Sequence, residues 1–243
     1  MEHRWIVRVY LSAYMWTRSV LNSDGLVKHN LADLLLEEIM NGTLPPPGVR
    51  IVEGKWARKF GVAQGSIREA INILAQDGFV TRESGRSARV IHLSEQDVAE
   101  LYELRGAIEG EAARLAAAGR PDFSPLQSAV DGMREAARDK NPEKVLDHDL
   151  QFHLELCRAS GNSYILEHGR RILLPFFAFV RMRITASGQA ASVWNKDLEA
   201  HQRIIDLMRE GEGDVAEQCV KKAMARFAKT SYDNWERRTP NGK

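Results

Sequence analysis

The chain has 243 residues, 44% of them hydrophobic, which at roughly 100–200 residues per domain allows one or two globular domains with a sizeable core. Its 34 Lys and Arg are balanced by 33 Asp and Glu, which excludes a polyanion-coating protein or an acidic disordered tail and makes any nucleic-acid surface local. Two cysteines, Cys157 and Cys219, build no disulfide framework and lack metal-finger spacing, so they read as packed thiols of a reducing compartment, the cytoplasm.

Residues 1–25 form an N-terminal extension in which Trp5–Leu11 and Tyr14–Trp16 are apolar, with Arg8 inside the first run and Arg18 just past the second. Arg8 interrupts the uncharged stretch that a signal peptide needs. The extension is read as flexible, as docked on a partner, or as lying upstream of a true start at Met15. Asn30–Met40 then spaces Leu31, Leu34, Leu35 and Ile39 as a helix, stopped by Asn41-Gly42. Leu44–Gly48 (LPPPG) is a stiff turn. A short helix follows over Glu53–Phe60, with Trp56 and Phe60 on one face, and Gly61 is placed to take a left-handed turn. The third helix, Gln64–Asp77, turns Ile67, Ala70, Ile71 and Leu74 inward and ends at Gly78. Phe79–Thr81 and Ala88–Ile91 are predicted strands of a hairpin tipped by Glu83-Ser84-Gly85-Arg86.

Three short helices and a small hairpin in this order make a winged helix-turn-helix over residues 26–92. Between Arg50 and Arg89 eight Lys or Arg face four Asp or Glu, a net of +4 in a chain of net +1. That local excess suits a phosphate-binding module.

From Leu93 the pattern is helix after helix, opened by a capping box of Ser94 and Asp97. The predicted helices are Glu95–Ala118, Phe123–Asp139, Pro142–Ser160, Ser163–Ser187, Ser192–Arg209 and Asp214–Trp235, which define an antiparallel all-α bundle over 93–236 before a tail at 237–243. The longest apolar run, Ile172–Val180, holds Pro175 and is far short of the ~18 residues of a membrane span, so it reads as a buried helix. No membrane association is expected.

The segment Gly61-Val62-Ala63-Gln64-Gly65-Ser66-Ile67-Arg68-Glu69-Ala70-Ile71, with Leu74 and Asp77-Gly78-Phe79-Val80, resembles the recognition segment of GntR-type bacterial transcription regulators. Leu101-Tyr102-Glu103-Leu104-Arg105 with Glu109, then Asp149 with Phe152-His153, Ser160-Gly161-Asn162, and His201 with Ile204-Ile205, resemble the FCD ligand-binding domain of the FadR subfamily. The resemblance implies a mainly α protein that binds a double-stranded DNA operator as a homodimer. It implies a repressor relieved by a small organic acid. It places Gln64, Gly65, Ser66 and Arg68 at the DNA and Gly85 and Arg86 at the wing tip. Arg58 suits a phosphate contact better than base reading. Arg68 suits a guanine edge or a phosphate, the alternative being a salt bridge to Glu69 or another nearby carboxylate. Ala63 replaces the usual capping Ser or Thr. Gln64 stands where arginine is common and favours adenine.

Asp149 and His153 lie at i and i+4 on one helix face, and His201 on another helix can close a site for one divalent metal such as zinc, nickel or manganese. The family's third histidine is replaced by Ala223, which leaves three ligands plus water or an effector carboxylate. The alternative is that both histidines are hydrogen-bonded core residues. Arg105 resembles the family arginine that meets acidic effectors, or else bridges to Glu109 at i+4. Asn162 is a pocket donor or a turn and cap residue. His148 points away from Asp149, and His168 reads as ordinary.

Two other classes compete with the regulator. A metal-dependent hydrolase using Asp149, His153 and His201 leaves Gly61–Arg86 unexplained and lacks a nucleophile elbow, phosphate loop or HExxH motif. A helical adaptor would make the basic wing incidental. The regulator, without enzymatic activity, accounts for both halves of the chain.

Overall fold

The structure, a computed structural model, describes residues 23–40, 47–82, 87–187 and 195–236. The extension before residue 23, the Asn41-Gly42 stop, the first part of the proline turn, the wing tip with Gly85 and Arg86, and the tail lie outside the described residues. Among those described, nine helices and two strands follow in order. They are α1 (Ser23–Met40), α2 (Glu53–Phe60), α3 (Gln64–Gln76), β1 (Val80–Thr81), β2 (Arg89–Val90), α4 (Glu95–Gly119), α5 (Ser124–Arg138), α6 (Pro142–Ala159), α7 (Ser163–Ser187), α8 (Asn195–Glu210) and α9 (Gly213–Glu236). No described helix is long and apolar enough to cross a membrane.

The chain forms two compact units. In the first, α3 packs against α1 and α2. The inner face read from its periodicity, Ile67, Ala70, Ile71 and Leu74, is fully buried. Trp56 lies tilted against Phe60 on α2, and Gly61 closes that helix at φ +66°, a left-handed value that suits glycine. β1 and β2 pair antiparallel with Val80 opposite Val90 and Thr81 opposite Arg89. A third segment, which no sequence pattern announces, joins this pair. The backbone of residues 48–51 lies along β2, through Gly48 N–H to Val90 O (3.0 Å), Val90 N–H to Val49 O (3.1 Å) and Ile51 N–H to Ala88 O (2.8 Å). This edge follows the prolines directly, where too few residues remain for an alternating pattern.

This unit also takes in α7 from Leu174 onward, although the sequence reading assigns the whole of that helix to the second domain. The reason is packing that periodicity cannot show. Pro175 sits where a Cβ on Gly78 would be 3.2 Å away, and Phe179 meets His92 edge-on at 6.1 Å.

The second unit is all helix. The Ser94–Asp97 capping box opens α4 with both reciprocal hydrogen bonds formed. α4 packs against α6, α8 and α9, and α5 against α6 and α8. α4 and α9 run antiparallel, since Gly106 faces Lys221 and Met224, Gly110 faces Glu217, and Gly213 faces Arg114 and Ala117. A Cβ on Gly110 would come within 3.1 Å of Glu217 Cγ, so the two helices approach over a bare backbone.

Candidate functional site

The first unit presents the N-terminal end of α3. Ala63 occupies the cap position without a capping side chain, so first-turn N–H groups remain for an outside acceptor. Gln64, Gly65 and Arg68 are exposed there, Ser66 is half-exposed, and Arg58 is exposed on α2. A Cβ on Gly65 would meet nothing within 4 Å, so packing does not require the glycine.

Arg68 does form an ion pair, and its partner is Glu53 rather than Glu69. Its Nη2 donates to Glu53 Oε2 at 2.9 Å and its Nε lies 3.1 Å from the same oxygen. Gln64 Nε2 donates to Oε2 at 3.2 Å, and Arg82 Nη2 stands 3.5 Å from Oε1. The hydrogen bond from Arg68 lowers the Glu53 pKa, and burial opposes it only in part. In the sequence Glu53 stands out only as one acidic charge, because 15 residues separate it from Arg68.

The second unit holds a buried cluster. Asp149 and His153 come from adjacent turns of α6, and α8 brings His201. His201 Nε2 lies 3.1 Å and His153 Nε2 3.3 Å from Asp149 Oδ1. That oxygen is buried and accepts no well-directed hydrogen bond despite the short contacts. One ligand atom from each residue falls within 4.8 Å of the others. Ligands sharing an ion at ~2.1 Å sit about 3–3.5 Å apart, so the set fits a divalent cation with small adjustments. Fully buried Phe152 walls the cluster, edge-on to His201 at 4.4 Å.

The other nitrogen of His153 is committed as well. Its Nδ1–H donates to Glu109 Oε2, and Glu109 Oε1 accepts from Arg105 Nε at 2.7 Å. Arg105, Glu109, His153 and His201 are all buried. A carboxylate on Nδ1 fixes the tautomer that turns Nε2 toward the cluster, which is how metal-binding histidines are held. Burial would raise the Glu109 and Asp149 pKa values. Arg105 and His153 outweigh it at Glu109, and the two imidazoles outweigh it at Asp149, so both carboxyls lie below their ordinary range. Burial also disfavours charge on His153, but the Glu109 carboxylate prevails and raises its pKa.

Of the two readings of Arg105, the bridge to Glu109 is the one formed. Of the two readings of Asn162, the cap is the one formed: it is exposed, and its Oδ1 accepts from the N–H groups of Tyr164 (3.0 Å) and Ile165 (3.3 Å) at the start of α7. Ala223 is a buried residue of α9 and offers no ligand atom. His148 packs on Gly132 of α5, away from the cluster. Cys157 and Cys219 are free thiols whose pKa values burial raises.

A winged helix-turn-helix followed by a helical domain with a buried ligand-type cluster defines a class of bacterial transcription regulators. Residues 27–90 match the model of bacterial regulatory proteins of the gntR family, and residues 100–226 match the FCD domain. A probable D-xylose utilization operon transcriptional repressor of Paenarthrobacter nicotinovorans is 26% identical over 202 residues, covering 83% of this chain and 87% of its own. The Glc operon transcriptional activator of Escherichia coli K12 is 27% identical over 161 residues, 58% of this chain and 62% of its own. In fold, the chain is similar to a putative GntR transcriptional regulator from Rhodococcus sp. RHA1, with a TM-score of 0.70 at 23% identity, covering 84% of this chain and 96% of the other. The chain belongs to the gntR family, in the FadR-type branch whose second domain is FCD. It is a DNA-binding transcription regulator and not an enzyme, so the hydrolase and adaptor readings are set aside.

Proposed function

We propose that this chain is a dimeric cytoplasmic repressor whose operator affinity is set by a small carboxylate bound through a divalent metal in the helical domain. The observation that carries the reading is Asp149 Oδ1, a buried carboxylate oxygen without a directed hydrogen bond, flanked by two imidazole nitrogens. Such an oxygen is costly unless a cation completes it. Asp149, His153 and His201 would hold the ion; when bound, it supplies a Lewis-acidic anchor for an oxyanion.

Charge supports the same reading. Arg105 and Glu109 cancel, which leaves the Asp149 carboxylate as the negative charge that faces the two imidazole nitrogens. A divalent cation held by Asp149 and two neutral imidazoles leaves one positive charge, which a monocarboxylate neutralises. With Ala223 contributing no fourth ligand, the effector has a coordination position to fill. Arg105, turned to Glu109, acts mainly by neutralising it.

In the DNA-binding domain, α3 would enter the major groove with Gln64, Gly65, Ser66 and Arg68, Arg58 would meet phosphate, and Gly85 and Arg86 would reach the minor groove. The effector releases DNA to the extent that it prefers the non-binding arrangement of the dimer. Elemental analysis of the purified chain tests the metal assignment. About one equivalent of zinc, nickel or manganese, lost in Asp149→Ala, is expected. A metal-free protein that takes up none of these ions on titration would overturn it.

A further inference from the structure

Glu53 draws together side chains that belong to different parts of the first unit: Gln64 and Arg68 from α3, and Arg82 beyond β1, which Asn72 anchors from its other side. We propose that Glu53 is a specificity-determining positioning residue, which holds Arg68 and Gln64 in the orientations that read a guanine and an adenine in the major groove.

The argument is one of donor geometry. A guanidinium has two usable edges in one plane. Glu53 occupies the Nε–Nη2 edge of Arg68, at 3.1 and 2.9 Å. What remains is the outer end, formed by Nη1 and the second Nη2 hydrogen, and this end can donate bidentately to guanine O6 and N7. Gln64 is constrained in a parallel way. One hydrogen of its Nε2 goes to Glu53 at 3.2 Å, leaving the other hydrogen and Oε1, the donor and acceptor pair that adenine N7 and N6 require. Both readers are exposed long side chains that otherwise sample many rotamers, and the shared carboxylate selects one arrangement for the pair. A carboxylate beside a phosphate-binding surface also opposes DNA electrostatically. Glu53 therefore favours selectivity at the expense of non-specific affinity.

The inference rests on the DNA-reading role of α3 proposed above, and the two can fail separately. Wild-type protein, Glu53→Gln and Arg68→Ala would each be used to enrich binders from a library of random 40-base-pair duplexes, and affinity for the unselected library would be measured by anisotropy. Wild type is expected to enrich a motif containing a G·C position preferred about tenfold. Glu53→Gln is expected to melt close to wild type, to bind the unselected library several-fold more tightly at low salt, and to lose the same G·C preference that Arg68→Ala loses. Should Glu53→Gln fold poorly, Glu53→Asp, which keeps the charge but draws the carboxylate back, is expected to weaken that preference part-way. An unchanged motif in the Glu53 variants, or equal loss of affinity for selected and unselected duplexes, would overturn the positioning role. If wild type enriches no sequence at all, the DNA-reading assignment of α3 fails, and the role of Glu53 with it.

Discussion

Asp149 and His153 were legible as a pair because i, i+4 spacing puts them on one helix face, and His201 followed from the family pattern. Glu109 was legible only as a bridge partner for Arg105. Its second role, orienting His153 from 44 residues away, leaves no periodic trace in the sequence. Glu109→Gln keeps the shape but weakens the acceptor, and a 10–100-fold loss of metal affinity by calorimetric titration is expected. Glu109→Ala leaves Arg105 buried without its carboxylate, and urea unfolding is expected to show a loss of about 3–5 kcal/mol. The pH response of the metal-free protein follows from His153. Its folded pKa is raised by Glu109, so the stabilisation is fully present below the unfolded value of about 6.5 and disappears as pH rises through the folded value. Urea midpoints of chelator-treated protein are therefore expected to fall from pH 6 toward alkaline pH. Glu109→Gln should flatten that decline, and an equally steep decline in the variant would contradict the assignment.

At the level of elements, the long helices from Glu95 onward were readable because their apolar spacing is regular and their ends carry conventional stops, as in the Ser94 capping box and the Asn141 cap that accepts from Lys144 N–H at 3.0 Å, whereas α1 begins at Ser23, before the predicted start at Asn30 and inside the stretch read as an extension, where no apolar periodicity marks it. The edge segment at residues 48–51 and the double allegiance of α7 were not readable. The first is held by backbone hydrogen bonds that take no account of side-chain pattern, and the second depends on which surface Pro175 and Phe179 meet. The start of α3 departs from local preference twice, with an alanine at the cap and a glycine that no packing requires. Ala63→Ser restores a cap and is expected to add about 1 kcal/mol in thermal or chemical unfolding. Gly65→Ala is expected to stabilise by about 0.4–1 kcal/mol while weakening DNA binding, since its Cβ projects into the space that DNA would fill. A variant both more stable and undiminished in DNA binding would show that Gly65 lies away from the interface.

At the level of the whole molecule, a near-neutral chain carries a basic stretch in its DNA-binding domain and a helical domain in which the buried Arg105 and Glu109 pair with each other. The family shows that the chain regulates transcription through DNA; the buried cluster supports the reading that a ligand governs when. The measurement that tests this most directly uses a duplex enriched by the wild-type protein and follows its binding by anisotropy, for wild type and Asp149→Ala, with chelator, with added zinc, and with zinc plus a panel of small carboxylates. Wild-type affinity is expected to change with at least one carboxylate only when metal is present, and Asp149→Ala to bind the duplex without responding. A wild-type affinity indifferent to metal and to every carboxylate, or an unaltered response in Asp149→Ala, would contradict the account.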